Sequence, residues 1–190
     1  MPRTRRVESP SGVYHFINRG VNKKALFHKK EDYYFFLDLV KEYSSILNIQ
    51  VYHYCLMGNH THFLINADNV GLLSRFAHFI QRRYAYYYCK TYKWSEQVFR
   101  KRFLSIPVKD DIYLLECGRY IERNPLEAKV AQKPDEYAYS SYGFYAHNKP
   151  NPMLTHSPAY LDLATTNNKR MDAYKLYVCH NRYTEDKLPF

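Results

Sequence analysis

"IQVYHYCLMGNHTHFLIN", residues 49 to 66, decides the fold. Two runs rich in β-branched and aromatic residues flank Gly58-Asn59, a pair that suits a tight two-residue turn. The stretch therefore predicts a β-hairpin with strands over 49–57 and 60–66. Side chains alternate along a strand, which sets His60 and His62 on one face and turns Thr61, Phe63 and Ile65 the other way, into a core. Upstream, "GVYHFINRG" (12–20) predicts a strand ending at glycine. "EDYYFFLDLVKEYSSILN" (31–48) predicts a helix, with acids in its first turn and Phe36, Leu37, Val40, Tyr43 and Leu47 at helical spacing. Downstream, "LLSRFAHFIQRRYAYYYCKTY" (72–92) predicts a second helix with Leu72, Leu73, Phe76, Phe79, Ile80, Tyr84 and Tyr87 on its buried stripe and Arg75, His78 and Arg82 on another. "VFRKRFLSIPV" (98–108) predicts a fourth strand. A third helix, capped by Asp110 or Asp111, runs to Asn124 and is stopped by Pro125, because the residue before proline is disfavoured in the α region.

The order β-α-β-β-α-β followed by a helix is an α+β arrangement, a ferredoxin-like antiparallel sheet with an added C-terminal helix. From about residue 131 the chain turns richer in Pro, Asn, Ser and Tyr, with short helices expected near 158–164 and 171–179. We read two units, a main domain over 1–130 and a helical extension over 131–190 packed on it. The 190 residues suffice for one substantial core. No apolar run approaches the roughly 20 residues of a membrane span, and the basic start lacks an apolar segment behind it, so a cytoplasmic, nucleoid-associated protein is expected. The four cysteines have no metal-site spacing and read as reduced thiols, which argues against zinc.

The net charge of +10 is unevenly distributed. Residues 1–30 and 74–102 hold eight Lys/Arg each against one acid each, and the remainder is net negative. Cations concentrated in this way among Tyr and Phe suit a polyanion whose bases stack, namely nucleic acid that is single-stranded at least in part. These stretches include Arg5, Arg6, Arg19, Arg75, Arg82, Arg83, Arg100 and Arg102, with Tyr86, Tyr88, Tyr92 and Trp94 among the cations. A solvated basic surface is the plain alternative.

His60 and His62, sharing a strand face, are spaced to grip one divalent metal ion from adjacent pleats; equally, they fit an ordinary polar sheet face. A second constellation is "RYIERNP" (119–125), where Tyr120 and Asn124 lie one helical turn apart. If that helix covers the histidine face, Asn124 offers an oxygen to a metal and Tyr120 a nucleophilic hydroxyl. With 21 tyrosines in the chain, spacing alone does not single out Tyr120. Gly118, in mid-helix at a cost of up to about 1 kcal/mol relative to Ala, predicts close approach to another backbone. Arg119 and Arg123 flank Tyr120 and either clamp phosphate or pair with Glu116 and Glu122.

Together, "YHFINRG" (14–20), "LMGNHTHFLI" (56–65), "VFRKRFLSIPVKDDIYLLECGRYIERNPLEAKV" (98–130) and "SSYGFYA" (140–146) resemble the single-tyrosine HUH transposases of small insertion sequences, above all the REP-associated tyrosine transposases. The resemblance covers about three quarters of the chain. It implies that His60, His62 and Asn124 are the metal ligands, holding Mg2+ or Mn2+, and that Tyr120 on the added helix is the catalytic nucleophile. It further implies a single-stranded or hairpin DNA substrate, cut to give a 5′-phosphotyrosine and a free 3′-OH that can be rejoined. On that substrate Arg5, Arg6, Arg19, Arg75, Arg82, Arg83, Arg100 and Arg102 are the implied DNA contacts, and Tyr86, Tyr88, Tyr92 and Trp94 the implied stacking platforms. Two positions depart from the family pattern: Thr61 stands where a bulky apolar residue is usual, and Gly58 where proline is frequent. The rival reading is a non-catalytic regulator that binds hairpin DNA on the same fold. A homodimer and a monomer both stay open, as does whether Tyr120 serves its own chain's site.

Overall fold

A computed structural model of the chain describes residues 6–100 and 102–180; Arg5 lies outside the described residues. The main elements are β1 (Val13–Arg19), α1 (Lys30–Ile46), β2 (Gln50–Met57), β3 (His60–Asn66), α2 (Val70–Tyr92), β4 (Leu104–Pro107) and α3 (Asp111–Glu127), followed by α4 (Tyr142–His147), α5 (Pro158–Leu161) and α6 (Asn167–Cys179). The four strands form one antiparallel sheet in the order β2-β3-β1-β4, the ferredoxin-like order expected.

Alternation along the strands gives the sheet two apolar faces with different covers. On one, Phe16 and Phe63 meet Phe36, Leu39 and Val40 of α1 and Phe76, Ile80 and Tyr84 of α2, all fully buried or nearly so. On the other, Val13, Cys55 and Leu64 pack against Leu114, Cys117 and Ile121 of α3. Helix α1 is tied to α2 by Asp32, which is fully buried and accepts from the backbone N–H of His28 and Lys29 and from the hydroxyls of Tyr87 and Tyr92. Burial pushes the Asp32 carboxyl up, but these four hydrogen bonds outweigh it and hold its pKa below the usual carboxylate value.

Three expectations need correction. Helix α3 does not stop before Pro125 but runs through it to Glu127. The proline has no N–H for the carbonyl of Ile121, and the Asn124 side chain compensates: its Nδ2 donates to Ile121 O at 3.4 Å and to Tyr120 O at 2.9 Å. The helix then closes through Lys129 in the left-handed conformation, with the N–H of Val130 donating to Pro125 O. Gly118 admits a side chain rather than a backbone, since a Cβ there would lie 2.7 Å from His53 Nε2. The predicted strand over 98–108 is regular only at Leu104–Pro107, with a separate bridge between Gly20 and Phe99. Val98, Phe99 and Phe103 all enter the α1/α2 core, and a regular strand cannot turn two consecutive side chains to one face.

Strand β2 would expose an unpaired edge, and residues 139–155 cover it. Backbone N–H groups of Leu56, Ser141 and Thr155 pair with carbonyls of Tyr139, Tyr54 and Val51 across this seam. The helix at Tyr142–His147, not anticipated from the sequence, plants Tyr145 so that its hydroxyl donates to Tyr52 O at 2.8 Å.

Candidate active site

His60 and His62 share the face of β3 covered by α3. Across the register, His62 is partnered by Ile17 of β1 and Cys55 of β2, and His60 by Arg19 of β1. His62 is buried and His60 half-buried. Each has one ring nitrogen already engaged. His60 Nδ1 lies 2.6 Å from Asn59 Oδ1, an acceptor only, so Nδ1 carries the proton and Nε2 keeps its lone pair. His62 Nδ1 lies 2.8 Å from Nε2 of His15, a buried neighbour on β1. Burial, then Arg19, lower the His60 pKa, against an opposing hydrogen bond to Asn124. Burial, then His15, His60 and Arg19, hold His62 well below the usual value, and burial brings His15 to about 3. All three imidazoles are therefore neutral near pH 7.

Helix α3 brings Tyr120 over the pair. Its ring stands edge-on to His62 at 5.8 Å between centroids and to His15 at 5.9 Å, within one chain. Burial raises the Tyr120 pKa, while the Arg19 charge and a hydrogen bond with Asn124 oppose the rise. Asn124 thus reaches both His60 and Tyr120 while its Nδ2 donates to the carbonyls of Tyr120 and Ile121, and a ligand bound here would take Oδ1 in place of its contact with these side chains. Among the described residues no three of His, Cys, Asp and Glu cluster to hold a metal, so a metal here depends on Asn124 as a third donor. The donor chemistry fits: two neutral imidazoles and an amide oxygen, each with its other polar atom committed elsewhere.

Beside His60 opens a cleft of about 230 Å3 lined by Arg19, Gly20, Lys23, Asn59 and Arg100. Gly20 is required there, since a Cβ would meet the Lys24 carbonyl oxygen at 2.2 Å. Arg19 and Arg100 are exposed, and the Arg19 charge is felt by His60, His62 and Tyr120 alike. The other arginines are dispersed. Arg6 stacks on Phe103 at 3.8 Å next to Arg102, whereas Arg75, Arg82 and Arg83 lie on α2, across the sheet from the histidines. Arg119 and Arg123 are turned away from the DNA role set out for them. Arg119 is buried and donates to His180 O and to Glu116, and Arg123 donates to Val178 O at 2.7 Å and to Glu127 at 3.4 Å. The last carbonyls of α6 attract these cations as a helix C-terminus does. The stacking platforms also shrink: Tyr88 is buried, donating to Ala25 O, Tyr92 is held by Asp32, and Trp94 lies under Lys24 at 3.5 Å, which leaves Tyr86 exposed.

Among the described residues Glu122 pairs with no arginine. It is fully buried behind Tyr120, accepting from His53 Nδ1 at 2.9 Å and Ser141 Oγ at 2.6 Å on one oxygen and from Tyr174 Oη at 2.8 Å on the other. The network fastens α3 to β2, α6 and the segment before α4. His15, Asn59 and this network were not read as site features from the sequence. Their signal is cross-strand and tertiary, and a single sequence carries no register.

A family model of IS200-like transposases matches residues 9–124. The solved structure of a REP-associated tyrosine transposase bound to a REP hairpin superposes with a TM-score of 0.66 at 12% identity, covering 83% of this chain and 93% of that one. A Deinococcus radiodurans protein assigned as a transposase overlaps at 15% identity over 65% of this chain and 95% of its own, with a TM-score of 0.44, too low to bear on the fold. No curated protein matches the chain.

Proposed function

Because the chain belongs to the IS200-like transposase family of DNA-processing enzymes, we propose that it cuts and rejoins single-stranded DNA beside a hairpin through a covalent bond to Tyr120. The observation that carries the reading is the gathering of Tyr120, His60, His62 and Asn124 in one chain, with the Tyr120 ring 5.8 Å from that of His62. The hairpin is taken from the similar solved structure, whose protein is bound to one.

In this reading Tyr120 Oη attacks the phosphorus of a phosphodiester. An O–P bond to tyrosine forms and the bond to the 3′ oxygen breaks, leaving a 5′-phosphotyrosine and a free 3′-OH; a second 3′-OH reverses the step and joins strands. His60, His62 and Asn124 would hold Mg2+ or Mn2+, which supplies charge neutralisation at the phosphate oxygens when bound. The chain's own residues do the rest. Asn59 and His15 each engage Nδ1 of one imidazole and so fix its orientation, leaving Nε2 of each ring as the nitrogen a metal would take. Arg19, with Lys23 and Arg100 in the adjoining cleft, seats the phosphate and opposes its charge. Burial keeps Tyr120 a phenol at neutral pH, so its proton leaves as the new bond forms.

The test is a cleavage and joining assay on a pool of hairpin-bearing single-stranded DNAs with Mn2+, with Tyr120→Phe and His62→Ala in parallel. Cleavage by the wild-type chain and by neither variant is the expected result. Hairpin binding without cleavage across the pool would point instead to a regulator on the same fold.

A further inference from the structure

On the outer surface, between α1 and α2, lies a second cleft of about 680 Å3, within the roughly 300–1,000 Å3 range of small-ligand sites. Two flat aromatic pairs build it: Tyr43 on Phe79 with rings 7° from parallel, and Phe35 on Tyr87 at 4.2 Å between centroids. Between and above them α2 sets Arg82, Arg83 and Lys90, all exposed. Helix α2 contains four cations and no acid, no carboxylate lines the cleft, and none of these cations is in an ion pair among the described residues. Arg83 is steadied by the Tyr43 hydroxyl at 3.4 Å. Beside them Tyr86 stands 71% exposed, without a ring partner among the described residues.

An exposed tyrosine flanked by unpaired cations on a rigid aromatic floor matches a single strand in two respects. A base finds a face to stack on, and successive phosphates find charge. The position is as telling as the composition. The inner face of α2 packs on Phe16 and Phe63, whereas Tyr120 and the histidines lie on the sheet's other face. The sheet and the full thickness of a helix separate the two sites, so the segment held here is not the one being cut.

We propose that the α1/α2 cleft is a second DNA site, holding a single-stranded stretch that flanks the cleavage point, with a base on Tyr86 and phosphates on Arg82, Arg83 and Lys90. The proposal rests on the single-stranded DNA reading above, and its test is independent of cleavage. Fluorescein-labelled oligothymidylate, which has no hairpin, is titrated with the full chain across a salt series and followed by anisotropy. Tyr86→Ala weakens binding about 10-fold through lost stacking while leaving the salt slope unchanged. The double variant Arg82→Ala/Lys90→Ala lowers that slope by about 1.4, at about 0.7 per phosphate contact in single strands. The readout is binding and not cleavage, so loss of the cleavage reading and loss of this one are told apart. Wild-type affinity and slope in both cleft variants overturn the proposal. So does a wild-type dimer that the cleft variants convert to monomer by size-exclusion chromatography, since the cleft is then an interface between copies.

Discussion

Replacing Glu122 by glutamine keeps the shape of the side chain and removes one acceptor. In the native chain the carboxylate takes His53 Nδ1 and Ser141 Oγ on one oxygen and Tyr174 Oη on the other, with no water access to any of them. The amide retains the first oxygen and its two donors. Its NH2 faces the Tyr174 hydroxyl, which must turn to accept, so the phenol proton and one amide proton are left unpaired in a dry interior. Each buried orphan costs about 1–3 kcal/mol, which puts Glu122→Gln at about 2–6 kcal/mol. Tyr174→Phe leaves the second carboxyl oxygen without its donor, at a loss of about 1–3 kcal/mol. Glu122→Ala breaks the whole set and costs about 3–5 kcal/mol. Urea unfolding with a constant m-value ranks the three. A Glu122→Gln stability within about 0.5 kcal/mol of wild type would refute the claim that this carboxylate fastens α3 to the sheet.

Gly118→Ala sets about 1 kcal/mol of helix propensity against a Cβ 2.7 Å from the buried His53 ring; overpacking of about 1–3 kcal/mol wins, and thermal melting should show net destabilisation. The Asp32 carboxyl, held below its unfolded value, stabilises the fold above about pH 4, and that contribution fades as pH falls through the folded-state pKa. The stability gap between wild type and Asp32→Asn, measured by denaturation at successive pH values, should therefore narrow on acidification; a constant gap contradicts the assignment. His15→Ala frees the His62 ring and should weaken Mn2+ binding, read by calorimetry, about 10–100-fold. Arg19→Gln should slow cleavage about 100–1,000-fold with unchanged unfolding behaviour, as for loss of one preorganised donor. Mixing Tyr120→Phe with His62→Ala should restore no cleavage, because the two rings meet within one chain.

The hairpin carried most of the fold in one short stretch. Gly58-Asn59 fixes the turn, and the period-2 pattern of His60, His62 and Leu64 against Phe63 and Ile65 fixes which face goes where. The α3 stripe was equally legible, because Tyr120 and Asn124 are one turn apart whatever the helix packs on. Pro125 misled because the local rule ignores a side chain able to stand in for the missing N–H, and Asn124 is such a side chain. Arg119 and Arg123 misled for another reason. Charge beside a nucleophile suggests phosphate; the pairing of Arg119 with Glu116 was legible at its i, i+3 spacing, but both arginines also donate to carbonyls at the end of α6, some 55 and more residues away in sequence. His15 was passed over because its meeting with His62 exists only in the β1–β3 register, as Gly118 could not reveal that its neighbour is an imidazole.

One covalent bond, between Tyr120 and a DNA 5′ phosphate, decides the mechanism. The purified chain, incubated with Mn2+ and hairpin-bearing single-stranded DNA, is denatured, digested and sequenced by tandem mass spectrometry. A 5′-phosphonucleotide on the peptide containing Tyr120, absent when Tyr120→Phe is used, is the predicted result. Cleaved DNA with Tyr120 unmodified at every time point, or an adduct on another tyrosine, contradicts it.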